Sequence, residues 1–224
     1  MGNRFKKGFG RLLVSLVTYI VVSPFIPPGT IAAKGMHLWL SVALILAALQ
    51  TGNGSKRSVA VIWLLPALIL HWLGEFSTIQ YVKEGALVLF VGFYAFVLVS
   101  FLKQLLKAKK IDGEVIAGSL CIYLIIGLLW GSAYHLIFAL DPSAFSGNLV
   151  ELEGVKVHVF NYFSLVTLTS LGYGDITPQS LGAASLCQME AIIGQFYTAV
   201  LVAWLVGMYG KPLRQKVADK VKKN

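Results

Sequence analysis

Between Thr167 and Asp175 the chain reads Thr-Leu-Thr-Ser-Leu-Gly-Tyr-Gly-Asp, with hydroxyl residues first, then two glycines flanking a tyrosine, then a carboxylate. The chemistry this offers is oxygen donation. Glycine at 172 and 174 admits backbone dihedrals closed to other residues, so that successive carbonyls can point the same way. A ring of such carbonyls can replace the water around a cation.

Other chemistry-bearing groups are scattered. Cys121 and Cys187 fall inside apolar runs, with neither a disulfide spacing nor a metal motif, and read as core residues. His37, His71, His135 and His158 stand near the ends of apolar runs without ligand spacing, so no metal site is expected from them. His158, just ahead of the short apolar stretch that leads into the motif, is a candidate sensor of outer pH. Glu190 is an ionisable group inside an apolar run, which marks it as a functional candidate whose partner must be named. No basic residue in that run can neutralise it. It is expected to be either protonated or hydrogen-bonded behind the short helix, to Thr167 or Thr169, with an ion site as the alternative. No nucleophile, base and metal set is present, so no enzyme is expected.

The elements that must hold the motif are apolar. Hydrophobic residues make up 57% of the chain before glycine is counted, against about 45–50% with glycine included in soluble domains. Six apolar stretches can be traced. Gly85 to Leu102, Val115 to Leu140 and Leu181 to Tyr209 approach or exceed the length needed to cross about 30 Å of hydrocarbon as helices. Leu12 to Ile26, Met36 to Gln50 and Ser58 to Leu73 are each near the 15-residue mark, short of the roughly 20 that a span prefers. Pro27-Pro28-Gly29, the Thr51 to Ser55 segment, Gly74 to Glu84 and the basic run from Lys103 to Lys110 separate them. A seventh element, Val159 to Ser170, is too short to cross and directly precedes the motif, the pattern of a re-entrant helix and loop. A basic start, an apolar run and Ala32-Ala33 also resemble a signal peptide, but the prolines between the run and the small pair favour a first span.

The net charge of +9 would suggest nucleic acid in a soluble protein, but the basic residues flank apolar runs and no nucleic-acid partner is expected. With six spans and the N-terminus inside, only Lys34, Lys83 and Lys156 of the 19 basic residues lie outside. That asymmetry supports a multi-pass protein of the plasma or inner membrane with both termini cytoplasmic. Glu75, Glu84, Asp141, Glu151, Glu153 and Asp175 make the outer face acidic, which enriches cations near it.

Thr169-Ser170-Leu171-Gly172-Tyr173-Gly174-Asp175 resembles the signature of potassium channels, Thr-Thr-Val-Gly-Tyr-Gly-Asp, with two conservative departures. The resemblance extends from Val115 to Lys211, and the overall plan is similar to six-span potassium channels of bacterial type. It implies an all-α integral membrane protein with six transmembrane helices, a re-entrant pore helix and a selectivity-filter loop around a central pore. Potassium is implied as the permeant ligand, held at Ser170, Leu171, Gly172, Tyr173 and Gly174, with no cofactor. Ser170 keeps the hydroxyl of the innermost ion site, and Leu171 keeps an apolar side chain without the β-branch, which bears on filter stiffness. Thr167, Thr169 and Asp175 would support the filter, and Tyr162 and Phe163 would occupy the aromatic-cuff positions. Val166 stands where some bacterial channels keep a glutamate, so inactivation through that carboxylate is expected to be weak.

By the same resemblance Gly194 looks like the gating-hinge position, with close helix packing as its alternative. Gln195 and Thr198 share one helix face and are expected to look into the water cavity, or else to form interhelical hydrogen bonds. The resemblance divides the chain into a four-helix membrane domain over 1–102, like a voltage sensor without gating charges, a basic linker over 103–114, a pore domain over 115–210 and a short basic tail over 211–224. No arginine lies between Glu84 and Lys103, so voltage-insensitivity is expected. Lys103, Lys107, Lys109 and Lys110 suit anionic lipid. With 14 residues after Gly210, a ligand gate is expected to be intramembrane, lipidic or partner-borne. The motif occurs once, so a homotetramer is expected. A weakly selective cation channel and a non-conducting scaffold or regulatory subunit are the alternatives.

Overall fold

The computed structural model describes residues 8–27, 30–50, 54–76, 80–108, 111–150 and 156–221. Lys109, Lys110, Glu151 and Glu153 lie outside the described residues, as do residues 1–7 and 222–224 and the side chain of Glu75.

The described chain is almost entirely helical: α1 (Phe9–Val22), α2 (Ile31–Gln50), α3 (Ser55–Phe76), α4 (Gln80–Leu105), α5 (Gly113–Leu140), α6 (Lys156–Leu168) and α7 (Leu181–Val221). Two dipeptide strands, β1 (Phe145–Ser146) and β2 (Thr177–Pro178), pair antiparallel. Among the described residues four helices are long and apolar enough to cross a membrane, namely α2, α4, α5 and the Leu181–Gly207 part of α7. Of the six spans expected, α1 and α3 fall short of that standard. At 14 residues α1 is about 21 Å long, and it passes into a 3-10 turn at Pro24. The apolar part of α3 is confined to Arg57–Leu73, and Pro66 stands inside it. α2 begins five residues before Met36, and α7 continues past Gly210 into the basic tail.

Local chemistry fixes the helix starts. Asp112 caps α5 by accepting from Val115 N at 3.0 Å, and Ser180 caps α7 by accepting from Ala183 N at 3.2 Å. Both satisfy first-turn amides that have no partner within the helix. Glu114 does the same for another helix: its Oε2 accepts from Gly8 N at 2.9 Å and Phe9 N at 2.8 Å. The first turn of α5 therefore anchors the start of α1, where a carboxylate also meets the positive end of the helix dipole.

One apolar core runs through α1 to α5 and reaches Leu168 at the end of α6. A second cluster, around Tyr134, Phe145, Phe160, Phe163 and Ile176, lies behind the segment that follows α6. α5 has 56% of its apolar window buried, whereas α7 has 11%. Most of the apolar surface of α7 is therefore left open within a single chain.

Candidate functional site

α6 is 13 residues long, about 20 Å, and cannot cross a bilayer. Phe160, Ser164 and Leu168, spaced by four, are all 0% exposed and form the face that packs inward. The helix ends where Ser170 turns left-handed at φ 56. Ser170 N donates to Thr167 O and Leu171 N to Val166 O, each at 2.9 Å. These two bonds are the Schellman pattern, whose left-handed position is usually glycine; a side chain there costs about 1–2 kcal/mol. Gly172 and Gly174 follow with φ 59 and 76. Positive φ thus recurs at every second residue, beginning at a serine. A Cβ on Gly172 or Gly174 would meet nothing within 4 Å in this chain, so backbone conformation, and not space within the chain, calls for glycine there.

The loop is held from both sides. On one side Tyr162 donates to Asp175 Oδ2 at 2.6 Å. Beyond Asp175, β2 pairs Pro178 with Phe145 and Thr177 with Ser146, and Gln179 N donates to Ala144 O at 2.8 Å. Gly147 (φ 149) passes so close that a Cβ would overlap the Asp175 carbonyl. On the other side Gln195 donates from Nε2 to Ser170 Oγ at 2.9 Å. A Cβ on Gly194 would overlap the Leu168 carbonyl oxygen, to which Tyr123 also donates at 3.2 Å. Gly194 therefore brings the α7 backbone against the end of α6.

The remaining expected residues divide. Leu171 and Tyr173 are 55% and 66% exposed in the single chain. Phe163 is buried against Tyr134 and Phe145, with ring centroids 5.2 and 5.6 Å away, so the two cuff positions take different partners. Thr198 donates to the Gly194 carbonyl of its own helix at 3.0 Å, whereas Gln195 makes the bond between elements. Val166 is buried. Thr169 donates to Leu165 O at 2.7 Å.

Glu190 is 0% exposed, and its partners are not Thr167 or Thr169. Tyr134 of α5 donates to its Oε2 at 2.7 Å, and Ser164 of α6 lies on its Oε1. The reason is helical phase. Ser164 shares the buried face of α6 with Leu168, while the Thr169 hydroxyl is turned back onto its own helix. Sequence reasoning missed Ser164, Tyr134 and Gly147. The first two were findable as polar groups at helical spacing within apolar runs, able to serve a buried carboxyl.

His158, in the first turn of α6, lies 3.3 Å from Ser23 Oγ through Nδ1. Burial first, and the His37 imidazole second, hold its pKa below the ordinary histidine value. Cys121 and Cys187 are free.

Residues 120–211 match the family model described as ion channel. This match covers α6, the loop and most of the two long helices around them, and it supports an ion channel. With the apolar helices, it marks the chain as a membrane protein. The curated Protein LctB of Geobacillus stearothermophilus is similar, at 33% identity over 90 residues, 40% of this chain. The matched stretch spans 60% of that relative's length. No solved structure matches.

Proposed function

We propose that the protein is a passive potassium-selective channel, conducting dehydrated ions past backbone carbonyls of Ser170 to Gly174 in a homotetramer. The observation that carries the reading is the positive φ at Ser170, Gly172 and Gly174. Alternation of backbone hand along one short segment can turn successive carbonyls to one side, as coordination by a carbonyl ring requires. The ion-channel match over residues 120–211 supports the same assignment.

Four copies suit this chemistry, as in a ring of four loops whose carbonyls replace an ion's water. One loop supplies one side of a coordination cage, and cyclic symmetry supplies the rest. The open apolar face of α7 and the exposed Leu171 and Tyr173 suit contacts between copies. Asp175 and Asp141 are exposed and would attract cations to the outer mouth. With no arginine in α4, the pore is voltage-insensitive. Exposed Lys103 and Lys107 face anionic lipid on the cytoplasmic side, which also holds both termini.

A second reading, a weakly selective cation channel, is favoured by one contact. Gln195 donates to Ser170 Oγ, taking up a lone pair that the innermost ion would use. Potassium efflux from vesicles holding the purified protein, measured against sodium efflux, separates the two. Strong potassium preference supports the filter, comparable rates support the second reading, and no flux from an intact tetramer supports a scaffold.

A further inference from the structure

Glu190, Ser164 and Tyr134 bring three helices to one buried point. The Glu190 carboxyl on α7 is 0% exposed, and so are Ser164 on α6 and Tyr134 on α5. Among the described residues the carboxyl's partners are hydroxyls, with no cation to offset a negative charge. Cys187 on α7 faces Tyr134, and both Cys187 and Tyr123 on α5 lie within electrostatic reach of the carboxyl. A buried, unpaired carboxylate in such surroundings is strongly disfavoured.

Counting protons leads to the same place. Ser164 Oγ has one proton and two acceptors within reach, Glu190 Oε1 and the Gly127 carbonyl of α5 at 2.8 Å. Tyr134 commits its proton to Glu190 Oε2. If the carboxyl is ionised, Ser164 can serve only one of its two acceptors. If Oε1 carries a proton, that proton goes to Ser164 Oγ, the Ser164 proton goes to Gly127 O, and every close contact becomes a hydrogen bond.

We infer that Glu190 is a neutral carboxyl that donates to Ser164 and positions α6 between α5 and α7. It is a positioning residue. Ser164 stands one turn before Leu168, whose carbonyl packs against Gly194, one turn after Glu190. The clasp and this close contact therefore fix the end of α6 at two successive levels, directly beneath Ser170. The inference does not depend on which ion crosses.

The test is the infrared spectrum of the full-length protein in lipid at neutral pH, compared with its Glu190→Gln variant. A neutral carboxyl gives a protonated-acid carbonyl band that the variant loses. In Tyr134→Phe the same band moves to higher frequency, because the C=O loses its donor. Glu190→Gln, whose amide can both donate and accept, is expected to keep the wild-type unfolding temperature, and Glu190→Leu to lower it. Loss of carboxylate bands in Glu190→Gln, with no protonated-acid band, would overturn the inference. If Glu190→Gln fails to assemble, the Tyr134→Phe spectrum decides: a shifted protonated-acid band supports the clasp, and an unchanged spectrum overturns it.

Discussion

Tyr162 donates its phenolic proton to Asp175, Oη to Oδ2 at 2.6 Å, joining α6 to the residue that follows Gly174. A hydrogen bond to a charged group is worth about 1.5–3 kcal/mol, and the exposure of Asp175 puts this one at the low end. Tyr162→Phe should therefore weaken the hold on the loop in its present conformation by roughly tenfold. Sustained current in single-channel records would report it as shorter open periods, with assembly unchanged.

Gly194 and Gly182 lie on the same helix and should respond differently to alanine. At Gly194 the new methyl would overlap the Leu168 carbonyl, and forced overpacking costs about 1–3 kcal/mol. At Gly182 nothing lies within 4 Å, so the helix preference of alanine, up to about 1 kcal/mol, is free to act. Thermal unfolding in detergent should place Gly194→Ala below the parent and Gly182→Ala level with it or above.

Acid should weaken the packing around the start of α6 through His158. Its folded pKa lies below 6.5, with burial the larger cause and His37 the smaller. The unfolded chain therefore takes up the proton first as pH falls. The stability held above pH 6.5 declines as pH drops from there through the folded value, and levels off below it. Unfolding temperature measured across that window should lose one titrating component in His158→Gln.

Anionic lipid should follow Lys103 and Lys107. Each basic residue near a charged leaflet contributes about 1 kcal/mol, so each neutralisation to glutamine should cut preferential retention roughly fivefold. Mass spectrometry of the intact assembly released from mixed bilayers, counting anionic against neutral lipids, measures this.

The parts of the fold set by long hydrophobic runs were legible in the sequence. α4 and α5 start and end within a few residues of the stretches read from composition. The N-terminal ends were less so: the first-turn amides of α1 are satisfied by Glu114, more than a hundred residues away, and no local pattern announces such a partner. The need for glycine at 172 and 174 could be read because only glycine adopts positive φ freely. Ser170 could not, since its left-handed turn comes from the termination of α6 and contradicts its own preference. Glu190 was visible as an anomaly, but its partners depended on the rotational phase of α6, which a 13-residue, almost wholly apolar helix does not declare.

On the function proposed above, backbone geometry from Ser170 to Gly174 selects potassium. The most direct measurement is the reversal potential of the purified protein in a planar bilayer, with potassium on one side and sodium on the other, repeated with Gly174→Ala. The expected result is a potential strongly favouring potassium that is lost in the variant, because φ 76 at Gly174 is strained for alanine by about 1–2 kcal/mol. A thousandfold preference would correspond to roughly 4 kcal/mol of discrimination. A potential near zero with measurable current through the parent protein would contradict selection of potassium by this loop.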